Sequence, residues 1–234
     1  MSAAVERPAG QLGGDTARSE VRRNPGIARY GRDEIYAVVD QAPVCHVGFV
    51  LDGAPVVLPT IHDRVGDQLY LHGSRSNRML RAMTGPAGAC VTVTLFDGLV
   101  LARSVFNHTM HYRSAVLFGH AQLVEDPAEK LAALEHLTEH VLAGRALEAR
   151  APSERELALT SVVRLAIEEA SAKVDEGPPE DEDEDLGLDV WAGWVPSAPV
   201  WGEPVPDRSG AMADGHLPVP PSVRRLLGRG DEAL

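Results

Sequence analysis

The chain has 234 residues, 34 acidic against 22 basic, for a formal charge of −12, and 44 % of them are hydrophobic. That suits one domain with a sizeable core, while no apolar run reaches the roughly 20 residues of a membrane span and the N-terminus lacks the apolar stretch of a secretory signal. The two cysteines, Cys45 and Cys90, sit in apolar segments, which excludes a disulfide framework and fits a reducing cytoplasm. An acidic balance also argues against nonspecific nucleic-acid binding, because it repels phosphates.

Residues 1–28 are rich in Gly, Pro, Ala and Arg without apolar periodicity and read as a flexible arm. The folded region is expected over 29–196. Ile35, Tyr36, Val38 and Val39 recur at helical spacing before Pro43, predicting a short opening helix. From 44 to 125 the signals are those of β structure. Strands are expected at 44–51 and 54–62 around the hairpin signal Asp52-Gly53, and at 68–72 after Gly66-Asp67. A short helix is expected at 76–84. Strands at 89–96 and 99–104 flank Asp97-Gly98, read as another turn, and 115–124 is a strand broken by Gly119. Short strands and tight turns predict an antiparallel barrel or sandwich.

Asp126 as N-cap, Pro127 at N1 and Glu129 as the partner of a capping box start a helix. Its apolar stripe is Leu131, Leu134, Leu137, Val141 and Leu142, and Gly144 stops it. Ser153 and Glu156 repeat the capping signature for a helix at 153–160. The stretch 161–173 alternates at Val163, Leu165 and Ile167 and is read as strand. Residues 174–189 read as an exposed acidic loop and 189–196 as a final strand. The tail 197–234 is Pro-rich and drapes over the surface, with a helical end at 223–227.

Three groups of residues can carry chemistry. In Leu69-Tyr70-Leu71-His72-Gly73-Ser74-Arg75-Ser76-Asn77-Arg78 a strand runs into a helix start surrounded by hydroxyls and guanidinium groups, a combination suited to a phosphate. The polar and aromatic run 102–114, with His108 and His111, reads as a rim loop; its histidines can act as general acids or metal ligands, or simply face solvent. His136-Leu137-Thr138-Glu139-His140 matches a zinc-peptidase pattern, but amphipathic packing accounts for it and no third ligand follows. Both thiols lack a basic partner in sequence, and no recognised nucleophile motif is present, so a cofactor is expected to carry any chemistry.

The segments HVGFVLDGAPVVLPT (46–60), LYLHGSRSNRML (69–80), CVTVTLFDGLVLARS (90–104), MHYRSAVLFGHAQLVEDPAEKLAAL (110–134), EEASAK (168–173) and VWAG (190–193) resemble the pyridoxamine 5′-phosphate oxidase-like superfamily, in particular its flavin-nucleotide-binding branch similar to nitroimidazole-resistance proteins. The resemblance implies a mainly β, six-stranded antiparallel FMN-binding split barrel, usually a homodimer with FMN at the subunit interface and a small-molecule substrate. It places Leu58, Pro59, Thr60 and Ile61 along the isoalloxazine and His72 beside it. It assigns Ser76, Asn77 and Arg78 to the phosphate, Arg113 and Ser114 to an approach from the partner or the rim, and Trp191 to closure over the ring. His72 and His111 are the candidate catalytic residues. The oxidases follow their tryptophan with an arginine–histidine grip on the substrate phosphate. Here Ala192-Gly193-Trp194 follows Trp191, which argues against pyridoxamine phosphate as substrate.

The leading expectation is therefore an FMN-dependent oxidoreductase. The alternatives are a non-catalytic flavin carrier, a deazaflavin protein, or a haem-binding split barrel using His72, His108 or His111 as axial ligand. The acidity does not oppose an anionic cofactor. Residues 175–189 hold nine acidic groups and no basic one, and without them the chain has 25 acidic against 22 basic. The run reads as a solvated connection, or as a surface that meets the arginine-bearing arm.

Overall fold

The computed structural model describes residues 9–207, 209 and 217–228. Chain order is β1 (Ala28–Arg29), α1 (Arg32–Gln41), β2 (Cys45–Leu51), β3 (Ala54–Thr60), β4 (Asp63–Val65), β5 (Gln68–Ser74), α2 (Arg78–Met83) and β6 (Ala89–Leu101). Then come β7 (Thr109–Gly119), β8 (Ala121–Leu123), α3 (Pro127–Val141), α4 (Glu154–Leu159), β9 (Thr160–Ala166), β10 (Glu169–Asp175), β11 (Gly193–Pro196) and α5 (Pro221–Leu226). The eleven strands form two antiparallel sheets, β1-β10-β7-β6-β2-β3 with β11 on β6, and β4-β5-β9-β8. This is the mainly β, antiparallel split architecture expected, but with seven strands of seven or more residues where six are implied, plus the short β1, β4, β8 and β11.

The sheets share one core. Alternate residues turn inward: Val47 from β2, Val91 and Val93 from β6, Leu117 from β7, and Leu69, Leu71 and Leu165 from the smaller sheet, all fully buried. Helix α1 plugs this core with Ile35, Val38 and Val39, and α2 with Met79, Leu80 and Met83. The opposite face of β5 and β9 carries Tyr70 and Val162, which pack with Ala133 and Leu134 of α3 in a separate cluster. Period-two alternation thus decides that His72, in phase with Tyr70, faces the α3 side rather than the barrel interior.

The hairpin signal at Asp52-Gly53 forms as expected, with φ of 52° and 79°, the two positive values a type I′ turn needs. The similar Asp97-Gly98 does not turn. β6 runs through it as one 13-residue strand with a register shift between Phe96 and Gly98. Pairing decides this. β7 follows β6 on both sides of the bulge, β11 joins residues 98–101, and Arg113 forks onto the Asp97 carboxylate at 2.8 Å by both Nε and Nη2. The rim loop is accordingly shorter than expected, because Thr109 to Ser114 belong to β7.

Other readings need correction. The 161–173 strand is two strands that change sheet at Ile167-Glu168. Asp126 and Pro127 start α3, but Glu129 does not complete a capping box; its carboxylate instead receives Arg164 at 2.8 Å and the Tyr70 hydroxyl at 3.1 Å. The capping box at Ser153 and Glu156 is complete. Residues 9–28 do not form a free arm. Leu12 and Ser19 are buried, Leu12 bonds across to Tyr30 and Ala170, and Arg18 pairs with Glu169. The acidic loop is anchored too: the Asp181 carboxylate is 1 % exposed and accepts from the backbone N–H and the guanidinium of Arg103 at 2.6 and 2.8 Å. Residues 1–8 of the expected arm and 208, 210–216 and 229–234 of the tail lie outside the described residues.

One buried group makes stability depend on pH. His62 is fully buried and donates from Nε2 to the Val39 carbonyl at 3.1 Å. Burial, helped by the neighbouring His140 ring 5.1 Å away, pushes its pKa down to about 4. The unfolded imidazole, near 6.5, takes up a proton that the folded one refuses, so stability is lost as pH falls from about 6.5 toward 4. Denaturant titrations between about pH 7 and 5 should show a slope of up to ~1.4 kcal/mol per pH unit from this site. His62→Gln should remove that part of the slope; an unchanged profile would refute the assignment.

Candidate cofactor site

Two clefts carry the candidate residues. The larger, of ≈ 970 Å³, lies between α3, the 142–152 segment and the outer face of the smaller sheet. Its wall is largely apolar, with Ile61, Leu134, Leu137 and Val141, and Arg145 and Arg150 bring positive charge to it. His72 stands in this wall. Its Nδ1 is buried without a hydrogen-bond partner, and burial lowers the pKa of the ring, which favours the neutral imidazole. The two arginines are held by carboxylates, Arg145 by Glu148 at 3.5 Å and Arg150 by Glu156 at 2.6 Å.

The smaller cleft, of ≈ 590 Å³, is polar and is lined by Arg23, Asn24, His108, His111, Asp175 and Glu180, among others. His111 donates from Nε2 to the Gly177 carbonyl at 2.8 Å and stands 6.2 Å from the Trp194 ring. His108 is tied by Nδ1 to the Ser104 carbonyl at 2.7 Å. Burial raises the pKa of Asp175, and the nearby Glu180 acts in the same direction while His111 opposes it. Arg23 of the N-terminal segment and Glu176 and Glu180 of the acidic segment line this same cleft.

The remaining candidates spread over both sheets. Leu58, Pro59 and Thr60 lie on β3, the edge strand of the larger sheet. Pro55 and Pro59 occur on alternate positions of this strand, which is tolerable only where the missing N–H faces away from the neighbour. The outer backbone edge of β3 is thus open. At the β5–α2 junction Ser74, Arg75, Ser76 and Arg78 are exposed. Asn77 is the N-cap of α2, its Oδ1 accepting from the N–H groups of Met79 and Leu80 at 2.9 and 3.3 Å.

The family model for pyridoxamine 5′-phosphate oxidase matches residues 31–174. The chain belongs to this family. No functionally curated protein matches it. Among solved structures it is similar to the flavocytochrome Anf3 from Azotobacter vinelandii, at 36 % identity, a TM-score of 0.83 and coverage of 90 % of this chain and 96 % of that one. It is similar also to the FAD and heme binding protein from Mycobacterium smegmatis, at 39 % identity and a TM-score of 0.79, covering 85 % and 96 %. A protein from Bacteroides thetaiotaomicron described as a 5-nitroimidazole antibiotic resistance protein aligns at 25 % identity and a TM-score of 0.54, covering 64 % and 90 %.

For this member of the pyridoxamine 5′-phosphate oxidase family the structure redistributes the candidate residues. It brings His72 and Ile61 into one wall, and separates His72 from His111, which lines the other cleft of the same chain. Arg113 is committed to Asp97 and to the Gln41 carboxamide at 2.8 Å, so its guanidinium fixes the β6 bulge rather than reaching for a ligand. Ser114 sits mid-sheet, paired with Thr94 and Lys173. Trp191 is 66 % exposed just before β11. The α3 and 142–152 residues of the larger cleft were missed. Their signal was an apolar stripe wider than one packing face needs, with Val141 and Leu147 52 % and 93 % exposed. In H-x-x-E-H, Glu139 turns to the Gly144 and Ala146 N–H groups at 2.6 and 2.8 Å, while His140 reaches the Ala42 carbonyl at 3.0 Å.

Proposed function

We propose that the chain is an oxidoreductase that binds a flavin nucleotide and a haem. The observation that carries the haem part is the neutral, unpartnered His72 imidazole in the wall of a large apolar cleft with two arginines. A soft nitrogen donor, apolar walls and cations for peripheral carboxylates are the donor set that a haem fits. Similarity to two proteins whose names state flavocytochrome and FAD and heme binding supports this reading. When bound, the two groups supply hydride and one-electron chemistry.

The chain's own residues have limited tasks. His72 would hold the haem iron, its neutral form favoured by burial, and Arg145 and Arg150 at the cleft wall would meet the peripheral carboxylates. The open edge of β3 at Leu58 to Thr60, with Ile61 following it, offers backbone groups to a flat polar ring. Ser76 and Arg78, with Ser74 and Arg75 beside them, offer hydroxyls and charge to a phosphate. Asn77 contributes by holding the α2 start in place. His111 keeps one ring nitrogen for a ligand in the smaller cleft, since the other is bound to Gly177. The outer face of the larger sheet leaves Val50, Val57, Phe96, Leu99 and Met110 exposed, and we assign it to a second copy of the chain in a homodimer.

The absorbance spectrum of the protein as isolated, with its mass by light scattering, tests the reading. Flavin bands together with a Soret band on a two-copy particle are expected, and mass spectrometry of the released flavin distinguishes FMN from FAD. A spectrum without a Soret band after haemin titration overturns the haem assignment. Failure to retain or bind FMN or FAD overturns the flavin assignment.

A further inference from the structure

The segment that closes the larger cleft is held by the distant C-terminal helix. Residues 142–152 contribute Arg145, Ala146, Leu147, Ala149 and Arg150 to the cleft wall. α5, starting almost seventy residues beyond this segment, is bonded to it. The N-terminus of α5 cannot cap itself, because Pro220 stands at the N-cap and Pro221 at N1. The cap comes from Glu148, whose carboxylate accepts from the Ser222 N–H at 2.8 Å and from the Ser222 hydroxyl. Ser222 is 1 % exposed and Glu148 partly buried. At the other end of the helix the Arg225 guanidinium donates to the Ala143 carbonyl at 3.4 Å. It lies against Gly144, which has φ of +86° and leaves no room for a Cβ. The same Glu148 carboxylate holds Arg145, the cation in the cleft wall.

We propose that α5 is a clasp that sets the mouth of the larger cleft, controlling ligand entry and release and positioning Arg145 through Glu148. The contacts run in series from Ser222 through Glu148 to Arg145, and Arg225 fixes the segment's other end. Releasing either end should free the 142–152 segment without touching the barrel, whose core α5 does not enter. The ligand part of this inference rests on the haem reading; the part concerning the segment itself does not.

The test uses the full-length protein with Ser222→Asp, which sets a carboxylate against Glu148, and with Arg225→Ala. Glu148→Gln is a milder variant that keeps an acceptor oxygen. Hydrogen exchange at Gly144 and Ala146 should speed by about tenfold in the first two and less in the third, with α1 and β6 unchanged. Release of haemin to an excess of apomyoglobin should speed by a similar factor. Exchange at 143–152 that is unchanged in both strong variants overturns the clasp. Faster exchange with unchanged haemin release would overturn its control of the mouth, and faster exchange with no haemin binding even in the parent would overturn the haem reading alone.

Discussion

His72→Ala should abolish the Soret band of the haemin complex while leaving flavin content and fold intact. Losing an outer partner of a metal ligand already costs 10–100-fold in affinity, so removing the ligand should cost more than about 100-fold. Added imidazole should restore part of the spectrum, because the cleft keeps its apolar wall and arginines and loses only the nitrogen. Folding should be little affected, since His72 lies on the outer face of β5 and makes no contact in the barrel core. The pH dependence has a definite sign. A ligating imidazole must be unprotonated, and burial lowers the pKa of His72. Haemin affinity should therefore begin to fall at a lower pH than an ordinary histidine, near 6.5, would give. Haemin titrations of parent and variant followed at the Soret maximum, with circular dichroism as the folding control, measure all of this. A variant that binds haemin like the parent would remove His72 from the site.

The second large effect is structural. At Gly119 the chain leaves the larger sheet, and β8 begins two residues later in the smaller one. A Cβ at Gly119 would enter the van der Waals shell of the Ala166 carbonyl oxygen, a backbone atom that cannot rotate away. Gly119→Ala should thus cost about 3 kcal/mol, the upper end for overpacking. For a domain of this size that lowers Tm by about 6–12 °C. Gly48→Ala is the matched control, because its new Cβ would stand 3.4 Å from the Cys90 carbonyl oxygen, an ordinary contact. Thermal melts of the two variants should separate clearly; equal, small shifts would show that the crossover relaxes easily.

Both effects bear on how much could be read from residues alone. The edges of the clefts depend on where strands change sheets. Gly119 announced itself as a break, but nothing nearby said what approaches it. Asp97-Gly98 had the same chemistry as Asp52-Gly53 and a different outcome. The dipeptide permits a tight turn, and whether one forms depends on the strands available to pair on either side. Asp52-Gly53 has only β2 and β3 around it, whereas β7 continues past Asp97 and Arg113 is there to bind its carboxylate. The packing of the N-terminal segment has a related cause. Its composition lacks periodicity, yet Leu12, Ser19 and Arg18 each meet a specific partner on β10 or the turn before it, which no local pattern encodes.

The sequence by itself determined the family, the antiparallel β class, the capped helices and the neutrality of the barrel beneath an acidic loop. These follow from local rules: alternation, capping and turn chemistry, and a linear order of segments. The resemblance also placed His72 beside the cofactor. Only the tertiary structure decided which face of that strand His72 occupies, that α3 and the 142–152 segment complete a cleft around it, and that His111 lines another. Those assignments depend on non-local pairing between elements up to about a hundred residues apart, where one residue of register reverses every side chain. Local sequence carries the propensity of each strand, and packing alone settles its phase.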